Sequence, residues 1–424
     1  MLSGWPGDFN SLPFILDAYT CPLKPLHVTI LFVVLNYIAF AGLRFSVSLY
    51  AIHMHASPTV VGAIVALISF MPMAGSVAMG KLIDRKGMRA PLLVATMVLA
   101  SCTVLAFLSE SPAALLLVSL LTGGAYFTIL NSSEQLVGRC GSTAERAGNY
   151  VTLSLCFGLA NALSPVAAGL LIDHVGFPFN FAAMTVFPLL GTALILFNKL
   201  PNLAPLHKPA SARVAETSAS TSASGAAAGP APRSVFDLIR NGNLRHLYTF
   251  AILFTVSWDL FMFMMPVYGA QLHIPASQIG VIVGSFAMAT FAVRLLSRLV
   301  TQRVTAWQLL LLSLAGVGAG CLIIGFAKAT VPLILCAFLL GCGHALVNPM
   351  LSTLLYEVSP PDRVAEAMGL RMSIAKACQI VLPVAAGAIS SLYGVAPVFW
   401  LVAMIQLSAA FAARGQWHEK SKSA

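Results

Sequence analysis

The chain has 424 residues, of which 58% are apolar and only 9% charged, whereas a soluble globular chain carries about 25% charged residues. Its mean hydropathy is +0.87, so lipid must be its solvent, which excludes a cytoplasmic enzyme, a secreted protein and a soluble nucleic-acid binder. Lys and Arg outnumber Asp and Glu by 24 to 14, a net charge of +10, and in a membrane protein such an excess reports orientation through basic loops on the cytoplasmic face.

The first segment, 1–25, contains MLSGWPGDFNSLPF, which lacks a basic start, an apolar core and a small-residue cleavage site. It does not read as a signal peptide, so the first apolar run is expected to stay as an anchor. A membrane helix needs about 20 apolar residues. Cutting at charges, Pro/Gly clusters and polar turns predicts twelve spans, at 26–50, 58–79, 90–109, 112–137, 147–172, 177–198, 245–268, 277–299, 306–327, 330–356, 365–391 and 395–414. Backbone in lipid must satisfy its own hydrogen bonds, so each is expected to be helical. Period-2 alternation is absent, which excludes an outer-membrane barrel.

Between spans 6 and 7 the stretch 200–244 carries ETSASTSASGAAAGPAP, a tract that cannot bury a core and reads as a flexible cytoplasmic linker. The following SVFDLIRNGNLRHLY is expected to form a short amphipathic helix on the inner leaflet. The linker divides the chain into six spans at 26–199 and six at 245–414, with a cytoplasmic tail at 415–424. With the N-terminus inside, 19 of the 24 basic residues fall beside cytoplasmic segments and only Lys328 falls outside. Arg44, Arg294, Arg371 and Lys376 lie within spans. Both ends are therefore expected in the cytoplasm of a bacterium, with the spans in its inner membrane.

Shifted by 218 residues, Pro165-Val166-Ala167-Ala168-Gly169 meets Pro383-Val384-Ala385-Ala386-Gly387, Gly176 meets Gly394, Gly62 through Val65 meets Gly280 through Val283, Gly123 meets Gly341 and Arg85 meets Arg303. The halves read as parallel copies related by an axis along the membrane normal. That arrangement places a binding site between them near mid-depth, exposed to either side in turn.

After span 2 the chain reads Gly80-Lys81-Leu82-Ile83-Asp84-Arg85-Lys86-Gly87-Met88-Arg89. As bare chemistry this is a tight basic turn: glycine permits the bend, cations hold the headgroups, and one acid suits a helix N-terminus. Its spacing, G-x-L-x-D-R-x-G-x-R, closely resembles the signature of the major facilitator superfamily, and with the spans, tether and repeat the resemblance covers nearly the whole chain. It implies an all-α membrane protein of 12 transmembrane helices in two pseudo-symmetric six-helix bundles. It also implies a conformational latch at Gly80, Asp84, Arg85, Gly87 and Arg89, with Glu134, Arg139, Glu145 and Arg146 as partners. The second copy, Arg298 to Arg303, has Gln302 where Asp84 would be, so any latch is asymmetric. In span 5, Ser164, Pro165 and Gly169 resemble the family's antiporter motif, with Ser164 and Ala168 in place of two glycines.

Ionisable groups at helix centres cost about 3 kcal/mol or more and usually face a cavity or a partner. Spans 1, 4, 7 and 10 line the central cavity in the resembled family. Under the 218 shift Arg44 falls on Met262, one turn from Asp259, so both are expected to border one cavity, whether as a structural ion pair or as a site. Asp259 is the first candidate for proton coupling and His344 the second, a satisfied packing histidine being the alternative for the latter. Asn36, Tyr37, Tyr126, Asn131, Trp258, Phe261, Met262, Met265, Asn348, Lys376 and Gln379 supply aromatic, methionine, amide and cationic surface of the kind that suits amphipathic ligands.

Other signals are discounted. Gly316-Val317-Gly318-Ala319-Gly320 lies inside span 9 without a preceding strand. Asn131-Ser132-Ser133 matches a glycosylation acceptor but is buried in span 4. His53 and His55 read as exposed loop histidines rather than a metal site, and the eight cysteines, none in CxxC or CxxH spacing, as packing residues. No cofactor, metal or nucleic acid is expected; the partners are the bilayer, a small molecule and protons, and a monomer suffices. The expected function is a secondary transporter moving a small organic or amphipathic molecule by proton-coupled alternating access, with efflux by proton antiport as the direction. The alternatives are an organic-anion/proton symporter, favoured if Arg44 and Lys376 both face an empty cavity, and a transporter-like receptor or intramembrane enzyme.

Overall fold

The computed structural model describes residues 25–108, 111–140, 145–197, 199–200, 242–297, 305–360 and 363–422. Their helices are α1 (Pro25–His53), α2 (Pro58–Lys86), α3 (Arg89–Phe107), α4 (Pro112–Arg139) and α5 (Arg146–Leu196), then α6 (Gly242–Gln271), α7 (Ala276–Leu295), α8 (Ala306–Ile324), α9 (Thr330–His344), α10 (Val347–Val358), α11 (Val364–Tyr393) and α12 (Ala396–Lys422). Ten described segments are long and apolar enough to cross a membrane, and Ala396–Ala412 forms a shorter apolar helix.

Five boundaries differ from the sequence reading. The first is at α2, which runs on as helix through Lys86, so the basic segment read as a turn is mostly helix. Only Gly87 and Met88 separate it from α3. The expected turn between spans 5 and 6 is a single residue inside α5, Gly176, at φ 86° and ψ 171°; no side chain tolerates that backbone well, so glycine bends the chain without a loop. Span 10 is two pieces, α9 and α10, interrupted at Ala345 and Leu346. Helix α12 continues past 414 to Lys422, and α6 begins at Gly242, inside the stretch assigned to the linker. The N-terminal segment 1–24 and linker residues 201–241, including the start of the proposed amphipathic helix, lie outside the described residues.

Helix starts follow local chemistry. At α2, Ser57 Oγ accepts from Val60 N–H at 3.4 Å ahead of Pro58, a serine cap with proline in the first turn. At α8, Thr305 and Gln308 form a reciprocal capping box.

The 218-residue repeat is visible contact by contact. A Cβ on Gly62 would collide with Pro383 O, and one on Gly280 with Pro165 O. Likewise a Cβ on Gly387 would run into Pro58 O and one on Gly169 into Ala276 O. Inside each half, a Cβ on Gly123 would collide with Ile68 O and one on Gly341 with Phe286 O. Every partner is itself displaced by 218. These are backbone-to-backbone helix crossings of the kind small residues allow in lipid. The first two sets join the halves, α2 against α11 and α5 against α7, whereas α4 and α9 each pack chiefly within their own half.

The helix ends repeat too. His55 and His273 take φ of 58° and 56°. Each is followed by a residue whose N–H returns to a carbonyl five positions back, Ala56 to Ala51 at 3.0 Å and Ile274 to Gly269 at 2.9 Å. This is the left-handed helix stop usually given to glycine.

Candidate functional site: a cavity between the two halves

A cavity of about 250 Å³ lies between the halves, walled by α1 (Tyr37, Phe40, Arg44), α2 (Ile68, Ser69, Pro72), α4 (Gly123, Tyr126, Phe127, Leu130), α6 (Asp259) and α11 (Lys376, Gln379). A smaller one of about 50 Å³ adjoins it and shares Tyr37, Phe40 and Arg44, adding Asn161 and Met262 among others. The α1 residues fall at intervals of three and four, and so do those of α4, so one stripe of each helix faces the cavity.

The charged residues lining this space are Arg44, Asp259 and Lys376. Arg44 Nη2 lies 3.6 Å from Asp259 Oδ1, and the side chains are 29% and 8% exposed respectively. The pair therefore joins α1 of one half to α6 of the other. Asp259 Oδ2 is buried without a hydrogen-bond partner. One turn apart on α11, Lys376 Nζ donates to Gln379 Oε1 at 3.0 Å. With Asp259 ionised, these three charged groups leave the cavity one net positive charge.

The apolar wall comes from the first half. Phe40 and Tyr126 stack with ring centroids 3.7 Å apart and planes 11° from parallel. Tyr37 meets Phe157 edge-on at 4.9 Å, and its hydroxyl donates to Asn161 Oδ1 at 3.0 Å.

Of the residues singled out in the sequence, Tyr37, Arg44, Tyr126, Asp259, Lys376 and Gln379 line this cavity, with Met262 in the adjoining space. Asn36 turns away: its Nδ2 donates to Phe32 O at 2.8 Å and packs on Gly191. Asn131 bonds back to Phe127 O at 3.0 Å. Asn348 is exposed and accepts from Arg371 Nη1 at 3.4 Å. His344 is buried in the second half, 3.2 Å from Ser257 Oγ and flanked by Phe254, Trp258 and Phe286; neither it nor Trp258 is on the cavity wall. Phe40, Ser69 and Phe127 were missed, although Phe40 and Phe127 share helical stripes with Tyr37 and Tyr126.

For the expected latch, the side chains of Gly80, Asp84, Arg85 and Arg139 lie outside the described residues. Gly87 ends α2 at φ 77° with its N–H on Ile83 O, and Arg89, Glu134, Glu145 and Arg146 are exposed. In the span-5 motif, Ser164 Oγ donates to Ile38 O at 2.8 Å, tying α5 to α1, while Pro165 and Gly169 face α7. Among the described residues no group of three metal-binding side chains occurs.

Two repeated helical halves in apolar surroundings, meeting along glycine-lined crossings around a polar cavity, define a membrane transporter. The family model of the major facilitator superfamily matches residues 29–268 and 247–415, and the chain belongs to that superfamily; it is a transporter and not an enzyme. No curated protein matches it. Among solved structures it is similar to a peptide transporter POT in complex with sulfate, at TM-score 0.74 and 13% identity over 92% of this chain and 94% of that one. It is also similar to the nucleoside transporter NupG, at 0.71 and 15% over 92% and 99%. A POT family transporter in complex with 5-aminolevulinic acid gives 0.70 and 13% over 91% and 94%. At these identities the likeness is one of fold.

Proposed function

We propose that the chain is a proton-coupled symporter of a small organic anion, working by alternating access through the cavity between its halves. The observation that carries this reading is the Arg44–Asp259 pair at 3.6 Å in a cavity that Lys376 also faces. While Asp259 is ionised it occupies Arg44. A proton on the unpartnered Oδ2 cancels that attraction and frees Arg44 to meet a substrate carboxylate together with Lys376. Proton and anion then favour the same state, and mutually favoured ligands are carried together.

Efflux by proton antiport, the direction implied by the resemblance in span 5, needs a substrate that competes with the proton for Asp259. That substrate would be a cation, and Lys376 and Arg44 beside Asp259 oppose it. Twelve crossings are read by counting α5 as two spans divided at Gly176 and α9–α10 as one. The basic residues of the α2–α3 and linker segments support a reading in which those segments and both termini are cytoplasmic and the spans lie in a bacterial inner membrane, with the monomer as the working unit.

The test uses proteoliposomes, a panel of labelled small organic anions and cations, and an imposed proton gradient. Anion accumulation driven by protons moving in the same direction is expected. Asp259→Asn should keep anion counterflow while losing uphill accumulation; accumulation undiminished in that variant would remove Asp259 from the coupling step.

A further inference from the structure

The cavity is divided by chemistry as well as by symmetry. Its aromatic surface comes from α1 and α4 of the first half, and its remaining charge and amide, on α6 and α11, from the second. The Phe40–Tyr126 pair is nearly parallel at 3.7 Å, the separation at which flat rings lie on each other. Tyr37 adds a tilted ring with its centroid 5.7 Å from that of Tyr126. The Tyr37 hydroxyl is engaged by Asn161, so Tyr37 presents its ring to this wall rather than a hydrogen-bond donor. The second half adds Lys376, Gln379 and Asp259, the last paired with Arg44 of α1.

Resting on the anion reading above, we propose that the substrate is a small aromatic monocarboxylate. Its ring extends the Phe40–Tyr126 stack and its carboxylate turns to Lys376 and Arg44. The volume of about 250 Å³ falls below the range of drug-sized pockets, about 300–1,000 Å³, so one ring with a short acidic arm is the right scale and a long acyl chain is not. Such a ligand also touches both halves at once, with its ring on the first bundle and its carboxylate shared between Arg44 of the first and Lys376 of the second. A ligand must do so if its binding is to favour their closing around it. Ring-on-ring contact adds attraction beyond simple burial of the same area, so a saturated ring of equal size is the discriminating competitor.

The experiment measures counterflow of labelled benzoate in proteoliposomes against unlabelled benzoate, cyclohexanecarboxylate and benzamide. Benzoate is expected to compete about three- to tenfold better than cyclohexanecarboxylate, and benzamide not at all. Tyr126→Leu should bring the two acids to within about twofold while cyclohexanecarboxylate itself still competes, which separates loss of the stack from loss of folding. Equal competition by both acids in the unaltered protein would overturn the aromatic inference and leave the anion reading standing. Competition by benzamide equal to that by benzoate would overturn both, whereas no benzoate counterflow at all, with another anion of the panel still accumulated, would overturn the aromatic inference alone.

Discussion

The carboxylate of Asp173, near the Gly176 bend of α5, accepts from the backbone N–H of Ser277 at 2.8 Å and of Ala276 at 3.0 Å, across the boundary between the halves. Helix α7 begins after Pro275, which supplies no side-chain cap, so its free N–H groups take their acceptor from the other bundle. In the second copy, Ser391 stands where Asp173 does, and its hydroxyl meets that of Thr59 at 2.9 Å, while α2 caps itself with Ser57. One seam is held by a charge on a helix dipole and the other by two hydroxyls.

Asp173→Ala is therefore expected to favour opening of the seam at this face. An exposed carboxylate at a helix N-terminus contributes about 0.3–1 kcal/mol, which corresponds to a shift of about two- to fivefold between the two states. Cysteine accessibility or spin-label distances across α5 and α7 would register it. The same substitution at Ser391 should have a smaller effect, and equal effects would contradict the asymmetry.

Gly62 and Gly280 support a stronger prediction at the same seams. A Cβ at either position would sit against a backbone carbonyl of the other half, and backbone cannot step aside as a flexible side chain can. Gly62→Val or Gly280→Val should hold the halves apart at this face, so that substrate still binds but translocation stops. Binding and single-turnover flux measured on the same preparation would check it. Full transport by either variant would mean that these crossings do not need to close.

Much of this architecture was legible in the chain. Low charge and long apolar runs required helices in lipid, and the 218-residue shift paired Pro165 with Pro383 and Gly62 with Gly280, though that each proline carbonyl meets the other half's glycine emerged only from the packing. The site was legible where a residue type is costly in lipid: Arg44, Asp259 and Lys376 were found because charges there need a cavity or each other. Polar residues that can bond to their own helix carry no such signal, which is why Asn36 and Asn131 turned out to satisfy Phe32 and Phe127 carbonyls. Asp173 escaped notice because a carboxylate near a span end looks like any solvated loop acid until the opposing helix start is placed beside it. Phe40 and Phe127 were ordinary apolar positions by composition; only the stripe shared with Tyr37 and Tyr126 marked them.

The Arg44–Asp259 pair makes a prediction about stability that is separate from transport. Asp259 is nearly enclosed, whereas Arg44 keeps more access to the cavity. Removing the partner of the more buried charge costs more, so Arg44→Gln should lower the unfolding temperature more than Asp259→Asn. The double variant should be destabilised by less than the two single losses combined, with a coupling of about 0.5–3 kcal/mol. Strict additivity would show that the two groups do not interact in the folded protein.

His344 was the second candidate for carrying protons, and its surroundings argue for a different part. It closes α9 just before the interruption at Ala345–Leu346, with Ser257 Oγ 3.2 Å from its Nε2 and three aromatic rings around it. Arg294 Nε donates to the carbonyl of Ala345 at 3.2 Å, placing a cation where the broken helix leaves carbonyls unpaired. These contacts brace the break from α6 and α7. Loss of a buried hydrogen bond and its packing typically costs about 1–3 kcal/mol, so His344→Ala should reduce thermal stability clearly. With no place on the cavity wall, it should leave the pH dependence of transport, measured per folded molecule, as it is in the unaltered protein. A displaced pH profile in the His344 variant, with Asp259 intact, would put the histidine back on the proton's route.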